Sequence, residues 1–134
     1  MSIKKTKVTI KHEESKMQQS CVAWFRMQHR KHTMLLFAVP NGSKLSGSQK
    51  QRAITGKRLK SEGVVAGVAD LILMIPSGDY SGLCLEAKTA TGRQSDSQKD
   101  FEKAVLSVGY GYALFRSLKG FQEIIKSYLE NGVY

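Results

Sequence analysis

Hydrophobic and polar positions along this chain recur with the periods of helices and short strands. Over residues 12–29 the apolar residues follow steps of three and four, which predicts a helix with Cys21, Trp24 and Phe25 on its apolar face. Residues 118–130 show the same period and predict a final amphipathic helix.

Short apolar runs predict the strands. Residues 34–39 are apolar throughout and stop at Pro40, which is typical of a buried strand. Residues 70–75 and 83–88 flank a turn at residues 76–82, so the two runs predict an antiparallel hairpin.

The second half of the chain carries a clear helix start. Ser95 and Gln98 have the Ser-x-x-Gln spacing of a capping box, which predicts a helix that ends at Gly109. A strand is expected to follow over residues 110–116. The residues that the helix is expected to bury are Phe101, Ala104, Val105 and Val108.

Polar stretches separate these elements. Residues 1–11 are basic and are expected to form a loose arm or a short edge strand, and residues 41–48 form a polar loop. Residues 49–62 predict a weak, very basic helix that is closed by Gly63.

The predicted order is helix, strand, short helix, strand, strand, helix, strand, helix. This order indicates an α/β protein with a mixed central sheet flanked by helices. The 134 residues suffice for one domain with a modest core, and we find no repeat and no internal boundary, so residues 1–134 are expected to form a single domain.

The net charge of the chain indicates what kind of partner it could bind. The formal charge is +10, and such an excess on a small domain favours a polyanionic partner, most often nucleic acid. A basic soluble protein without such a partner would have the same composition.

Cysteine usage and the absence of long apolar runs indicate a protein of the cytoplasm. Cys21 and Cys84 lie in apolar stretches outside any C-x-x-C pair, so we expect buried, reduced thiols. The sequence has neither the apolar run of a signal peptide nor a membrane-spanning segment.

Charged residues interrupt the predicted hairpin where apolar residues would be expected. Strand side chains alternate between faces, so Glu86 and Lys88 project from one surface. With a turn centred near Asp79, paired positions sum to about 158, which places Asp70 opposite Lys88 and within reach of Glu86. The opposite face of the second strand carries Leu83, Leu85 and Ala87.

These charges have two interpretations. A solvated strand face would explain any one of them, whereas the apolar neighbours favour a shared buried site for all three. Two buried carboxylates cost several kcal/mol unless a cation joins them. Oxygen ligands favour Mg²⁺ or Mn²⁺ over zinc, and His12, His29 and His32 show no zinc-site spacing.

Asp70 together with Glu86-Ala87-Lys88 resembles the Asp…Glu-x-Lys signature of the PD-(D/E)XK nuclease superfamily. The surrounding sequence is similar to the VRR-NUC family in four places: the first helix, VPNG, GVVAGVADLIL and LEAKTATGRQSDSQKDF. The resemblance extends from Glu14 to Arg116. Ala69 stands where the family usually has a proline, a residue that shapes the backbone and supplies no ligand.

The resemblance implies a restriction-endonuclease-like core of αβββαβ order with an extra short helix. It also implies that Asp70, Glu86 and the main-chain carbonyl of Ala87 bind a divalent metal, Mg²⁺ or Mn²⁺. Lys88 would then orient or deprotonate the attacking water and stabilise charge on the phosphate, and Gln98 would hold that water or a phosphate oxygen, in addition to its capping role.

The first helix is expected to supply one more carboxylate. Helical periodicity places both Glu13 and Glu14 near the edge of the apolar stripe and does not choose between them. The family pattern of a glutamate, an apolar residue and a glutamine matches Glu14, Met17 and Gln18, which favours Glu14.

A basic segment beside such a site is expected to contact phosphates without reading base sequence. Exposure to solvent alone would explain the same residues. The candidate DNA-binding residues are Lys44, Lys50, Arg52, Lys57, Arg58, Lys60 and Arg93.

The resemblance implies a metal-dependent DNA endonuclease, typically viral (including phage) or bacterial, which acts on branched DNA such as flaps or four-way junctions. A branched, symmetric substrate would suit a C2 homodimer. The alternatives are a basic DNA-binding protein without catalysis and, less favoured, a protein that acts on RNA.

Overall fold

The computed structural model describes residues 4–40 and 45–134, which form a four-stranded mixed sheet with helices on both faces. The strand order is β1-β2-β3-β4, with antiparallel pairing between the first three strands and parallel pairing between β3 and β4. The strands are β1 (Leu36–Ala38), β2 (Leu71–Leu73), β3 (Leu83–Ala87) and β4 (Gly111–Phe115).

Four α-helices and one 3₁₀ helix surround the sheet. Serine and threonine side chains cap the first turn of each α-helix, with Thr6, Ser48, Ser95 and Ser117 each accepting a backbone N–H. The α-helices are α1 (Lys7–Gln28), α2 (Gln49–Ser61), α3 (Asp96–Ser107) and α4 (Leu118–Asn131), and the 3₁₀ helix is Arg30–Leu35.

The main core lies between the sheet and the helices α1 and α4. Alternation along β3 points Leu83, Leu85 and Ala87 into this core, as expected from the sequence. Cys21 and Phe25 enter from α1, and the apolar stripe of α4 packs beside them. From α4 the buried residues are Phe121, Ile125 and Tyr128.

A smaller core lies on the opposite face, under α3. Cys84 and Tyr112 are buried there together with Ala69, and the rings of Phe101 and Tyr112 meet edge to face at 6.3 Å. The two faces of β3 are therefore both covered, which is why all five of its residues are buried.

The fold class, the mixed sheet and the order of elements confirm the sequence-based expectation. The capping box of Ser95 and Gln98 is present, and Gly63, with a φ of 105°, follows α2. The prediction of a single domain over residues 1–134 stays a prediction.

Helix α1 begins five residues earlier than expected. Thr6 caps it, so Lys7 to Lys11 are helical and belong neither to a loose arm nor to an edge strand. Residues 1–3 of the predicted arm lie outside the described residues.

The apolar run at residues 34–39 was wrongly predicted to be buried throughout. Its first two residues belong to the 3₁₀ helix, and the strand comprises only Leu36–Ala38 at the edge of the sheet. Leu36 enters the main core, whereas Met34 is 90% exposed and Phe37 is 40% exposed. An edge strand is covered on fewer sides, so an apolar pattern alone overstates its burial.

Helix α3 also buries less than predicted. Phe101 and Val105 pack partly against the smaller core, but Ala104 is exposed and Val108 is 67% exposed. The apolar period correctly predicted a helix here. Because no second helix among the described residues packs beside α3 on this face of the sheet, the sides of α3 remain exposed to solvent.

The register of the hairpin differs by two residues from the prediction. Leu71 pairs with Leu85, so one further step places Asp70 opposite Glu86 and not opposite Lys88. Ser77 and Tyr80 close the turn with mutual backbone hydrogen bonds of 3.0 Å. Between this turn and the ladder, residues 74–76 oppose residues 81–82, and Pro76, which has no N–H, lies in the resulting bulge.

None of the helices that the structure describes is long and apolar enough to span a bilayer.

The two cysteines are buried and unpaired, as predicted, and burial raises the pKa of each thiol to about 11. We therefore expect both thiols of the native protein to react with a disulfide reagent at pH 8 at least about 100-fold more slowly than an exposed thiol, because the thiolate is the nucleophile. The absorbance of the thiol that the reagent releases monitors the reaction, and both cysteines should react promptly once guanidinium has unfolded the protein. A thiol introduced by Glu130→Cys, at an exposed position of α4, is the matched control. Prompt reaction of Cys21 and Cys84 in the native protein would contradict their burial.

Candidate active site

Two carboxyl groups meet where β2 and β3 come together at the edge of the hairpin. Asp70 immediately precedes β2, and its Oδ2 accepts the backbone N–H of Ala87 at 2.8 Å. The Asp70 side chain thereby takes the place that a further residue of β2 would occupy in the ladder. Glu86 is 3% exposed and projects from the same end of β3.

A chain of hydrogen bonds links Glu86 to Lys88 through Gln98. The Gln98 Nε2 donates to Glu86 Oε1 at 2.6 Å, and the Lys88 Nζ donates to Gln98 Oε1 at 2.8 Å. Lys88 Nζ also lies 4.0 Å from Glu86 Oε1, with both side chains almost fully buried. The sequence-predicted residues Asp70, Glu86, Lys88 and Gln98 are thus brought together.

The start of helix α3 determines where Gln98 points. The backbone N–H of Ser95 donates to Gln98 Oε1 at 2.9 Å, and the Ser95 hydroxyl accepts the backbone N–H of Gln98 at 3.3 Å. Gln98 therefore caps its own helix and bonds Glu86 and Lys88 with the same amide. The capping role is therefore observed, whereas the role of holding a water or a phosphate oxygen stays a prediction.

The segment before β2 packs against this helix start at Gly67. A Cβ on Gly67 would lie 2.3 Å from the carbonyl carbon of Ser97 and 2.7 Å from the backbone nitrogen of Gln98. Its φ of 83° also favours glycine. The close approach keeps the Gln98 backbone beside the segment in which Asp70 precedes β2.

Burial and mutual repulsion raise the proton affinity of the carboxyl pair. Burial, followed by the negative charge of Asp70, raises the pKa of Glu86 to about 8, with Lys88 acting in the opposite direction. Burial likewise raises the pKa of Asp70, although the N–H of Ala87 partly offsets the shift. Near neutral pH the pair therefore holds a proton unless a cation replaces it.

One oxygen of the pair lacks a donor. Among the described residues, no group donates a hydrogen bond to the buried Glu86 Oε2. Asp70 is the adjacent side chain, and two carboxyl groups can bond each other only while they share a proton. A buried carboxylate oxygen without a donor is costly, and a bound cation would satisfy it.

The donor set fits a hard divalent cation. In the described part of the chain no three His, Cys, Asp or Glu side chains are grouped closely enough to hold a metal by themselves. Mg²⁺ usually binds one or two carboxylates and completes its shell with water and substrate phosphates, which suits a pair. Lys88 N–H bonds to Phe115 on the β4 side, so the alternating backbone turns the carbonyl of Ala87 toward β2 and Asp70.

The first helix distinguishes its two glutamates. Glu13 forms an exposed ion pair with Lys5 at 2.8 Å. Burial raises the pKa of Glu14, while the charge of Lys88 and a hydrogen bond from the backbone of Thr89 act against the rise. Glu14 therefore faces the end of β3, whereas Glu13 is paired with Lys5.

An open cleft of about 730 Å³ lies between α1 and the loop that follows β3. Glu14 and Lys88 line it, whereas Asp70 and Glu86 do not, so the carboxyl pair lies behind Lys88. Cations outnumber carboxylates in its lining, which comprises Lys4, Lys5, Ile10, Glu13, Glu14, Met17, Lys88, Thr89, Ala90, Thr91, Arg116 and Ser117.

Arg116 orders the loop beside this cleft, a role that the sequence analysis did not predict. Its Nη1 donates to the carbonyls of Thr89 and Gly92, each at 2.7 Å, and lies 3.5 Å from that of Ala90. Because the acceptors are backbone atoms, no acidic partner marks Arg116 in the sequence. A positive charge directly after a strand beside Glu-x-Lys was the available signal.

Of the cationic candidates that the structure describes, none lies in the cleft lining. Arg93 is exposed in the loop before α3, and Lys44 lies outside the described residues. The other five are all exposed on α2: Lys50, Arg52, Lys57, Arg58 and Lys60.

The fold is that of a solved structure described as a VRR_NUC domain protein. The two superpose with a TM-score of 0.73 at 22% sequence identity, over 87% of this chain and 88% of that chain. This likeness confirms the VRR-NUC, restriction-endonuclease-like fold that the sequence predicted. No protein-family model matches the chain, and no curated protein matches it.

The raised pKa of Glu86 makes stability depend on pH. In chelator-treated buffer Glu86 holds its proton more tightly in the folded protein than in the unfolded chain. The free energy of unfolding therefore falls as the pH rises from about 4.5 through about 8. We expect Glu86→Gln, which cannot ionise, to melt at least roughly 5 °C above the parent at pH 9 and close to it at pH 5.

Thermal unfolding followed by circular dichroism at several pH values tests this expectation. Glu130→Gln, at an exposed position of α4, is the matched control. Parallel melting curves for the parent and Glu86→Gln across the whole range would show that Glu86 is ionised in the fold.

Arg116 supports a second prediction. Arg116→Met removes the donor to the loop carbonyls, so we expect trypsin to cleave after Arg93 about tenfold faster, because charged donors contribute roughly 1.5–3 kcal/mol each. Mass spectrometry follows the cleavage, and cleavage after Lys126 in α4 measures global unfolding.

Lys119→Met removes another exposed cation nearby and is the control. Equal cleavage after Arg93 in the parent and in Arg116→Met would refute the loop-ordering role.

Proposed function

We propose that this chain is a divalent-metal-dependent nuclease that hydrolyses phosphodiester bonds of DNA. The proposal is carried by one observation: the half-buried Asp70 and the buried Glu86 lie beside the buried Lys88, and no described group donates to one oxygen of Glu86. The VRR-NUC fold and the basic surface support it.

Asp70, Glu86 and the Ala87 carbonyl would hold Mg²⁺ or Mn²⁺. When bound, such an ion lowers the pKa of a coordinated water and offsets negative charge that develops on the phosphate. The chain's own contribution is to gather the two carboxylates and keep them buried, where electrostatic interactions are stronger than in water.

Lys88 is the cationic group that joins this pair to the cleft. Its ammonium would hold the attacking water and donate to a phosphate oxygen, since it both approaches Glu86 and lines the cleft. Gln98 fixes the ammonium through its Oε1 and fixes Glu86 through its Nε2, so it positions both groups.

Glu14 is proposed as the carboxylate from the first helix. Its position opposite Lys88 and Thr89 supports this role, whereas Glu13 is occupied by Lys5. Because no three described carboxylates are grouped closely enough to hold a metal by themselves, Glu14 would act on the ion through water.

DNA contact is proposed at the candidate cationic residues Lys44, Lys50, Arg52, Lys57, Arg58, Lys60 and Arg93. Exposed side chains of this kind bind phosphates and position a duplex without sequence preference. Preference for flaps or four-way junctions, and a C2 homodimer that would present two sites to such DNA, are part of the proposal and rest on the resemblance.

A cleavage panel tests the function. We expect cleavage of linear, nicked, flap, fork or four-way-junction DNA with Mg²⁺ or Mn²⁺, and none with a chelator. Lys88→Ala and Asp70→Asn should each lower the rate at saturating DNA by about 100-fold or more, because each removes a group that acts on the reacting phosphate.

Asp79→Asn, in the exposed turn before β3, is the matched control and should cut at the parent rate. DNA binding is measured in parallel with Ca²⁺. If the parent binds every substrate and cuts none with either metal, the protein is a DNA-binding module and the nuclease proposal is wrong. Preferred cleavage of matched RNA would reject DNA as the substrate.

A further inference from the structure

Helix α2 is the least buried of the four α-helices. None of its residues is buried, and Ile54 is 60% exposed. Only Thr55, Gly56 and Leu59 are even half-buried, and at 100° per residue they lie on one face. The helix therefore touches the protein along a narrow stripe.

Four of the five cationic side chains of α2 lie opposite that stripe, whereas the exposed Arg52 lies on the same side as the stripe. Lys50, Lys57, Arg58 and Lys60 fall within one half of the helix circumference, centred about 180° from the half-buried residues. Lys50 and Lys60 are about 15 Å apart along the helix axis. The outer face of α2 is thus predominantly positive, with the exposed Ile54 among its cations.

The intrinsic stability of α2 is low. A helix of 13 residues is marginal without packing, and Gly56 in its middle weakens it further. Lys57 and Lys60 repel one turn apart, while the Arg58–Glu62 pair at 3.2 Å is exposed and contributes little. The Ser48–Gln51 capping box defines where the helix begins, but few contacts with the rest of the protein stabilise it.

We propose that α2 completes its folding on the phosphate backbone of duplex DNA. This inference rests on the proposed function, because it takes that substrate as the partner. The phosphates would neutralise the outer face and supply the partner that the protein's own core does not. Over 15 Å a duplex presents about nine negative charges, twice as many as a single strand, which favours the duplex.

A variant that strengthens the helix without changing its charge tests the coupling. Gly56 can be replaced by alanine, since the new Cβ would meet Leu45 Cδ1 at an ordinary 3.5 Å. If folding accompanies binding, Gly56→Ala should bind a 20-base-pair duplex up to about fivefold more tightly. Ser48→Ala, which loses the cap, should bind several-fold more weakly.

Fluorescence anisotropy with Ca²⁺ over a range of salt concentrations measures these affinities. Both variants should keep the parent's salt dependence, because they make the same phosphate contacts. Lys57→Gln should lower the slope of log affinity against log salt by about 0.9. A change in affinity at constant salt dependence would therefore report helix formation, whereas a change in salt dependence would report a lost phosphate contact.

Hydrogen exchange provides the direct measurement. Amides of Gln49–Ser61 should exchange rapidly in the free protein and become protected with duplex DNA, with more protection in free Gly56→Ala than in the free parent. Unchanged affinity in Gly56→Ala, or equal protection of α2 with and without duplex, would overturn the proposal. Equal ordering by single-stranded DNA or duplex RNA would overturn the duplex assignment.

These measurements use no cleavage, so the two proposals can fail separately. A protein that orders α2 on duplex DNA but never cuts it would reject the nuclease and keep this inference. A protein that cuts DNA while α2 is unchanged would reject this inference alone.

Discussion

The burial of Glu86 beside Asp70 is the constraint on which the rest of the site depends. Two carboxyl groups at one end of a hairpin repel each other and lose hydration, and burial raises the pKa of Glu86 to about 8. The fold tolerates the pair because donors surround it: the Ala87 N–H binds Asp70, and the Gln98 amide binds Glu86. The protein thereby keeps two carboxyl groups close together, and either a proton or a bound cation can relieve their repulsion.

The other unusual contacts around the site hold those donors in position. The cap at Ser95 aims Gln98, and Gln98 in turn holds Lys88, so the position of the ammonium is determined by the start of a helix. Arg116 similarly ties the loop after β3 to β4 through backbone carbonyls. The charged side chains of the site are therefore held in place by hydrogen bonds to the backbone around them. Orienting groups of this kind commonly surround a functional site.

The residues were sufficient to predict the element order, the faces of β3 and the gathering of Asp70, Glu86 and Lys88, because alternation in strands is strict. The capping box predicted the helix start at Ser95, and only the family resemblance placed Gln98 at the site. The hairpin register was wrong by two residues for two reasons, neither of which leaves a periodic trace: Ser77 and Tyr80 close the turn half a residue before Asp79, and a one-residue bulge lies beside Pro76. Since an even shift preserves the face, the site survived the error. Periodicity could not separate Glu13 from Glu14, since the distinction comes from Lys5, eight residues away and brought near only by the bend into α1.

Gly67 carries no charge and no reactive atom, yet its hydrogen-only side chain lets two backbones touch beside the acidic pair. The consequence concerns how this molecule can change over generations. The positions at which this protein tolerates substitution cannot be judged from chemical reactivity alone. Gly67 has no reactive atom, yet any larger side chain there would clash with the backbone of Ser97. A survey that ranked residues by reactivity would overlook it, whereas one that ranked them by available space would place it near the top.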